Sequence, residues 1–154
     1  MCPRCPSTYF YSMKKYLLAA FFLCSAFAMA MAQTPRAAYY ENGQKKYQGN
    51  VNGDMKVGEW TFYFDSGQVQ REGLYKEGKP YGVWTEYWKN GQVKSEGGYG
   101  ISGSGESVRH GDWTWYHKNG AKHKAGEYRK GKKIGIWREF NTLGIEVKKV
   151  NLND

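Results

Sequence analysis

The residues best able to do chemistry in this chain are few. The three histidines, His110, His117 and His123, fall close together. A neutral imidazole pair can hold a transition metal, but no Asp, Glu or Cys stands beside them at a recognised ligand spacing. Surface histidines without metal are therefore the expectation. Glu86 lies between Trp84 and Trp88 on alternate positions, as a carboxylate set among sugar-stacking rings would. Its counterpart Glu139 has no second aromatic beside it, and a sheet with little concavity is a poor place to raise a carboxylate pKa. The run Gly100-Ile-Ser-Gly-Ser-Gly-Glu-Ser-Val-Arg-His110 is rich in Gly and Ser but lacks the Gly-Lys-Ser/Thr ending of a phosphate cradle. It reads as a mobile loop of the kind that meets partners. No nucleophile–base pair can be placed by spacing. The expectation is a protein that is no enzyme and carries no cofactor and no metal.

Charge is the next signal. The chain of 154 residues has a formal net charge of +9. Residues 33–117 hold ten Lys/Arg and ten Asp/Glu, and residues 134–154 hold three of each. Between them, Lys118, Lys122, Lys124, Arg129, Lys130, Lys132 and Lys133 stand against Glu127 alone. Such a run is a footprint for an anionic surface: lipid head groups, an acidic glycan or an acidic protein. It also reads as a solvated edge whose lysines discourage strand pairing. These seven side chains are candidate anionic-surface contacts, and Trp84, Trp88, Trp113 and Trp115 are candidate partner-binding aromatics. Export makes nucleic acid an unexpected partner.

The beginning of the chain reads as a leader. Lys14-Lys15 precede the apolar run 16–32, which ends in small residues with Ala28-Met29-Ala30 and Ala30-Met31-Ala32. This is the three-part layout of a secretory signal peptide, with cleavage expected after Ala32. Met13 stands directly before the lysines, so residues 1–12 read as a mis-annotated extension, 13–32 as the signal peptide and 33–154 as the mature repeat array. All cysteines (Cys2, Cys5 and Cys24) fall before the cleavage site. A mature chain without them has no disulfide, thiolate metal site or cysteine nucleophile. The expected location is periplasmic or extracellular.

What positions these residues is a repeat. Tryptophans stand at 60, 84, 113 and 137, each two residues after Gly58, Gly82, Gly111 or Gly135. Three residues after Trp60, Trp84, Trp113 and Trp137 come Tyr63, Tyr87, Tyr116 and Phe140. Seven residues after each of these tryptophans come Gly67, Gly91, Gly120 and Gly144. A second glycine (Gly73, Gly97 or Gly126) then precedes Tyr75, Tyr99 or Tyr128 by two, and a degenerate first copy runs through Tyr39, Gly43, Gly49 and Val51. Asn42-Gly43, Ser66-Gly67, Asn90-Gly91 and Asn119-Gly120 lie between β-prone runs, and Asn-Gly predicts a two-residue type I′ hairpin with positive φ at both positions. One strand pair is expected at 60–64 and 68–75, with residues 76–82 turning the chain and Pro80 kept out of a central ladder. Up to ten short antiparallel strands follow, in a single sheet of roughly 45 Å at about 4.8 Å per strand. Alternation places Trp60, Phe62 and Phe64 on one face and Thr61 and Tyr63 on the other. Rings stacked along a single layer must then exclude water, each contact contributing about 0.5–1.5 kcal/mol beyond area burial.

The pattern resembles the MORN repeat, specifically its bacterial variant found in proteins labelled YwqK-like antitoxins. The matching units include Gly82-Val-Trp-Thr-Glu-Tyr-Trp-Lys-Asn-Gly91 and Gly135-Ile-Trp-Arg-Glu-Phe-Asn-Thr-Leu-Gly144. The resemblance implies an all-β, elongated single-layer antiparallel sheet of about five tandem hairpin units, acting as an interaction scaffold with no common active site. The functional expectation is an exported, non-enzymatic scaffold binding a protein partner at the cell envelope. The alternatives are a direct binder of anionic envelope lipid or glycan through the basic hairpin, and an antitoxin-like inhibitor of a protein toxin. Open sheet edges invite end-to-end pairing, so a homodimer is a further expectation.

Overall fold

The computed structural model describes residues 33–152. The leader reading and all three cysteines lie outside the described residues. Ten strands follow in order: β1 Thr34–Tyr39, β2 Lys45–Asn52, β3 Met55–Tyr63, β4 Val69–Lys76, β5 Lys79–Tyr87, β6 Val93–Ile101, β7 Ser107–Tyr116, β8 Lys122–Arg129, β9 Lys132–Phe140 and β10 Glu146–Asn151. They form one open antiparallel sheet in sequence order, β1 to β10. The fold is all-β, as the tandem hairpins require. The Trp strands begin earlier than the aromatic run indicates. In β3 the pairing with β2 passes from Trp60 to Val57, which leaves Gly58 and Glu59 as a bulge inside a longer strand.

The turns differ in kind from the expected ones. At the first, the Tyr40 N–H donates to the Gln44 carbonyl at 2.8 Å and the Gly43 N–H to the Tyr40 carbonyl at 3.0 Å. Only Gly43 has positive φ, at 81°. This is a three-residue loop, a type I turn closed by a left-handed glycine, rather than the two-residue type I′ form. Asn42 contributes through its side chain instead: its Oδ1 accepts the Gln44 N–H at 3.1 Å, and its Nδ2 donates to the Asp65 carbonyl of the next turn at 2.8 Å. Asn90 and Asn119 reach the Lys118 and Thr142 carbonyls in the same way. Turns with positive φ at both positions occur on the opposite edge, at Glu77-Gly78 (51° and 77°) and Lys130-Gly131 (51° and 80°). There the Lys76–Lys79 and Arg129–Lys132 pairs close directly on two residues.

Two further expectations change. Pro80 lies inside β5, opposite Tyr75. Since Lys76–Lys79 closes the two-residue turn, the next pair is a non-hydrogen-bonded one, so the missing proline N–H costs no ladder bond. The Gly/Ser insertion is not an irregular loop. It lengthens the β6–β7 hairpin through the Gly100–Val108 and Ile101–Ser107 pairs and ends in the Ser102–Glu106 turn. The Ser107 hydroxyl donates to the Pro80 carbonyl at 2.6 Å, and the Lys79 ammonium bonds the Gly105 carbonyl.

The core is a line of rings on one face, here the ring face. Across the sheet, Gly49, Trp60, Gly73, Trp84, Gly97 and Trp113 stand opposite one another in turn, and Gly126 and Trp137 continue the row. Each indole lies flat on the glycine of the preceding strand. A Cβ built on Gly49, Gly73, Gly97 or Gly126 would stand 2.2 to 2.4 Å from the ring. The indole N–H then reaches a carbonyl: Trp60 to Asn50 at 2.9 Å, Trp84 to Leu74 at 3.0 Å and Trp113 to Gly98 at 2.9 Å. Tyr75, Tyr99 and Tyr128 stand edge-on between successive indoles, at 5.2 and 6.5 Å for Tyr75 and Tyr99 against Trp84. Tyr99 also meets Trp113 at 5.2 Å and so joins the two buried clusters.

Gly97→Ala is expected to destabilise the fold by about 3 kcal/mol, at the upper end of overpacking costs because a backbone atom and a buried indole must separate. Gly103→Ala, where a Cβ meets nothing within 4 Å, serves as the control. Denaturant melts of both variants check this; equal midpoints would remove the ring-on-glycine contact as the organising one.

Candidate functional site

Register and alternation assign every strand residue to a face. The back face carries a ladder of Thr61, Glu72, Thr85, Glu96 and Thr114 across five strands. Tyrosines of the neighbouring row bond its acids: the Tyr87 hydroxyl donates to Glu72 at 2.7 Å and the Tyr116 hydroxyl to Glu96 at 2.5 Å. The hydrogen bond to Glu72, followed by burial, pushes Tyr87 up to about 12. Burial, followed by the Glu96 bond, pushes Tyr116 up to about 12. These acids are therefore stitched into the sheet.

The ring face carries cations over its indoles. Lys56, Arg109 and Lys133 each stand 4.6 Å above the ring centre of Trp60, Trp113 and Trp137. Pro80 takes the equivalent place beside Trp84, opposite Tyr75 as Arg109 is opposite Tyr99. Burial, and secondarily the Arg71 charge, lowers the Lys56 ammonium pKa. All four residues lie four positions before a Trp, a spacing visible in the sequence but not used in reading it.

The seven basic residues of 118–133 do not form one surface. Lys124 and Lys133 pair with Trp115 and Tyr128 on the ring face, whereas Lys122 pairs with Tyr116, and Arg129 with Lys132, on the back face. Lys118 and Lys130 sit in turns at opposite edges of the sheet. Several are also engaged: Lys124 with Glu139 at 3.1 Å, Arg129 with Glu127 at 3.5 Å, and Lys118 5.6 Å above the Trp88 ring. Strand pairing spreads a compact run of sequence over two faces and two edges.

The candidate aromatics divide likewise. Trp84 and Trp113 are buried at 5% and 4% exposure and present no ring to a partner. They are corrected from contact residues to core, because each lies on a glycine under its flanking tyrosines. Trp88 and Trp115 are half-buried. Trp115 stacks on Trp113 at 5.4 Å. Trp88 lies just past β5, and its indole N–H reaches the Tyr116 carbonyl at 3.3 Å. The histidines separate too. His117 and His123 meet across their hairpin with ring centres 4.4 Å apart, and His117 Nε2 lies 2.9 Å from the Phe140 carbonyl oxygen. His110 pairs with Gly98 on the back face. Among the described residues no three metal-ligating side chains gather.

The aromatic belt is interrupted at mid-sheet and ends after Trp115, where Lys124 and Glu139 follow. In the row beside the indoles, Tyr47 and Phe62 are followed by Arg71, Glu86 and Ser95 before Trp115 resumes it. Ser95 is the one buried polar side chain of the described core, at 3% exposure, and its hydroxyl lies 3.4 Å from Glu86. An open groove of about 330 Å³ lies beside this break, lined by Phe64, Gln70, Arg71, Glu86, Trp88 and Lys94 among others. Arg71 and Glu86 also line a smaller void of about 40 Å³ with Ser95, Tyr99 and Trp113. Glu86 is paired with Lys94 at 3.3 Å, and Arg71 lies 4.3 Å over Phe62. Reading by sequence singled out Trp88 and Glu86 here. It missed Arg71, whose place beside Glu86 depends on the β4–β5 register.

A family model described as MORN repeat variant matches residues 37–52, 56–77, 80–99 and 109–130, just over half of the chain. No curated protein and no solved structure matches it.

The tyrosine–carboxylate pairs set an alkaline limit. A phenol held near 12 when folded and near 10 when unfolded contributes stability that is fully present below about pH 10. That contribution is lost as pH rises through about 12. Ultraviolet titration should show late tyrosinates, Tyr87 and Tyr116 among them and half-buried Tyr75 also shifted upward, and Glu72→Gln should return Tyr87 toward 10; an unchanged curve would remove the Tyr87–Glu72 bond as the cause.

Proposed function

Because the chain belongs to the MORN repeat variant family, we propose that it is an exported, non-enzymatic repeat scaffold whose ring face docks a protein partner at the cell envelope. MORN repeats build scaffolds that often bind proteins or membranes. The observation that carries the reading is the ring face itself. Tyr47, Tyr75, Trp88, Tyr99 and Trp115 stay half-buried there because a single-layer sheet brings no second layer over them. Aromatic and arginine side chains dominate protein interfaces, and this face offers both. The leader supports delivery outside the cytoplasm. Direct binding of anionic lipid or glycan through 118–133 has less behind it, since those side chains point to both faces. An antitoxin-like role would need a chain retained in the cytoplasm.

The partner is a different molecule rather than a second copy. In the row of alternating Trp and Gly, β1 has Arg36 opposite Gly49 where a Trp would stand, and β10 has Val150 opposite Trp137 where a Gly would stand. Neither end carries its half of the ring-on-glycine contact. Pro35 on β1 and Lys148 and Lys149 on β10 further discourage edge pairing.

Affinity capture from an envelope fraction should retain one protein that rebinds the purified mature chain and is lost with the Trp88→Ala, Trp115→Ala double variant. Retention unaffected by that variant, or a full chain found in the cytoplasm, would sink the reading. In light-scattering measurements the mature chain should be monomeric. The Arg36→Trp, Val150→Gly double variant should self-associate with concentration; a dimeric parent would show that the ends are not guarded.

A further inference from the structure

We propose that the groove beside Trp88 is a carboxylate site, and that its occupant is an acidic side chain from an extended segment of the docked protein. The inference rests on the docking reading above and names the chemistry of its anchor. Arg71 is the central residue. Its guanidinium carbon stands 4.3 Å from the ring centre of Phe62 and 5.7 Å from that of Trp84, so two rings hold the head in place. Glu86 is directly opposite Arg71 in the β4–β5 register, yet its carboxylate is taken by Lys94 at 3.3 Å and by Ser95. Among the described residues Arg71 has no carboxylate within ion-pair distance. A half-buried guanidinium held in place, with its donors unspent, matches the planar, bidentate geometry of a carboxylate. Because the stack orders it beforehand, binding loses less side-chain entropy.

The surroundings agree in sign. Lys94 and Lys118 flank the Trp88 ring at 5.4 and 5.6 Å. Lys89 at the rim is answered by Asp65 at 3.4 Å. Among the described residues Glu86 and Asp65 are the carboxylates paired here, against Arg71, Lys89, Lys94 and Lys118, so the groove is left net positive. Phe64 and Trp88 supply apolar walls. An open groove of about 330 Å³ has room for a side chain or two. The fitting segment is therefore an acidic residue with an aromatic or aliphatic neighbour.

The test is calorimetric titration of the mature chain with the peptide acetyl-Gly-Asp-Phe-Asp-Gly-amide, with acetyl-Gly-Asn-Phe-Asn-Gly-amide as the neutral counterpart. The acidic peptide should bind, with a shift in tryptophan fluorescence that the neutral one does not give. Arg71→Gln, which keeps a planar head over Phe62, should weaken binding at least tenfold. Arg71→Lys, which keeps the charge and loses the fork, should recover only part of it. Thermal melts identify any variant that fails to fold; in that case Trp88→Phe with Lys118→Gln takes its place and should also weaken binding. Equal binding of both peptides, binding indifferent to Arg71→Gln in a folded variant, or equally tight binding of inorganic phosphate or free galacturonate would overturn the proposal. Absence of peptide binding alongside ring-dependent capture of a protein would overturn this anchor and leave the docking reading standing.

Discussion

The fold depends on one contact: an indole lying flat on a glycine of the preceding strand. A single-layer sheet has no opposing layer against which to bury side chains, so water must be excluded within one face. A ring does this best by lying down on the backbone, and Gly49, Gly73, Gly97 and Gly126 allow it because any Cβ there would enter the ring. Much else follows from that placement. The flat indole points its N–H at a neighbouring carbonyl. The tyrosines two residues beyond Gly73, Gly97 and Gly126 stand upright against the next indole (Val51 takes that place after Gly49), and a cation or proline closes the ring from above.

The same contact makes the two faces different. The ring face is an aromatic chain crossed by Lys56, Arg71, Arg109 and Lys133. The back face is a Thr–Glu ladder held by tyrosine hydroxyls. Stability is thus spread along the array through nearest neighbours, as in other stacked repeats, and no unit has a core of its own. The departure at Arg71, Glu86 and Ser95 is informative for that reason. There the belt gives up rings, keeps a buried hydroxyl, and leaves a guanidinium whose opposite carboxylate is already paired.

The repeat was legible because its constraint is strict. Each Trp must meet a glycine of the preceding strand, and only an insertion that lengthens the hairpin between them, as in β6–β7, changes their spacing, so the repeat, the strand count and the ring face stand in the sequence. The turn type was not. Asn-Gly serves either a two-residue primed turn or a type I turn closed by glycine, and the side-chain bonds from Asn42, Asn90 and Asn119 to the next turn favour the second. Strand limits were missed where a bulge at Gly58 lets the strand continue past a break in pattern.

The candidate site was legible only in part. Trp88 and Glu86 were found because they share a face by simple alternation. The separation of buried Trp84 from half-buried Trp88 was not, since both are tryptophans at alternate positions and only the glycine beneath one distinguishes them. The run 118–133 shows the same limit: sequence proximity made one basic cluster, and alternation and two turns divided it. By itself the sequence determined an all-β hairpin array and which residues are its repeating parts, because local spacing and ring–glycine complementarity are periodic properties. The tertiary structure decided which charges share a surface and which stand unpaired. Those depend on register between strands, and register is set by pairing across the sheet rather than by position along the chain.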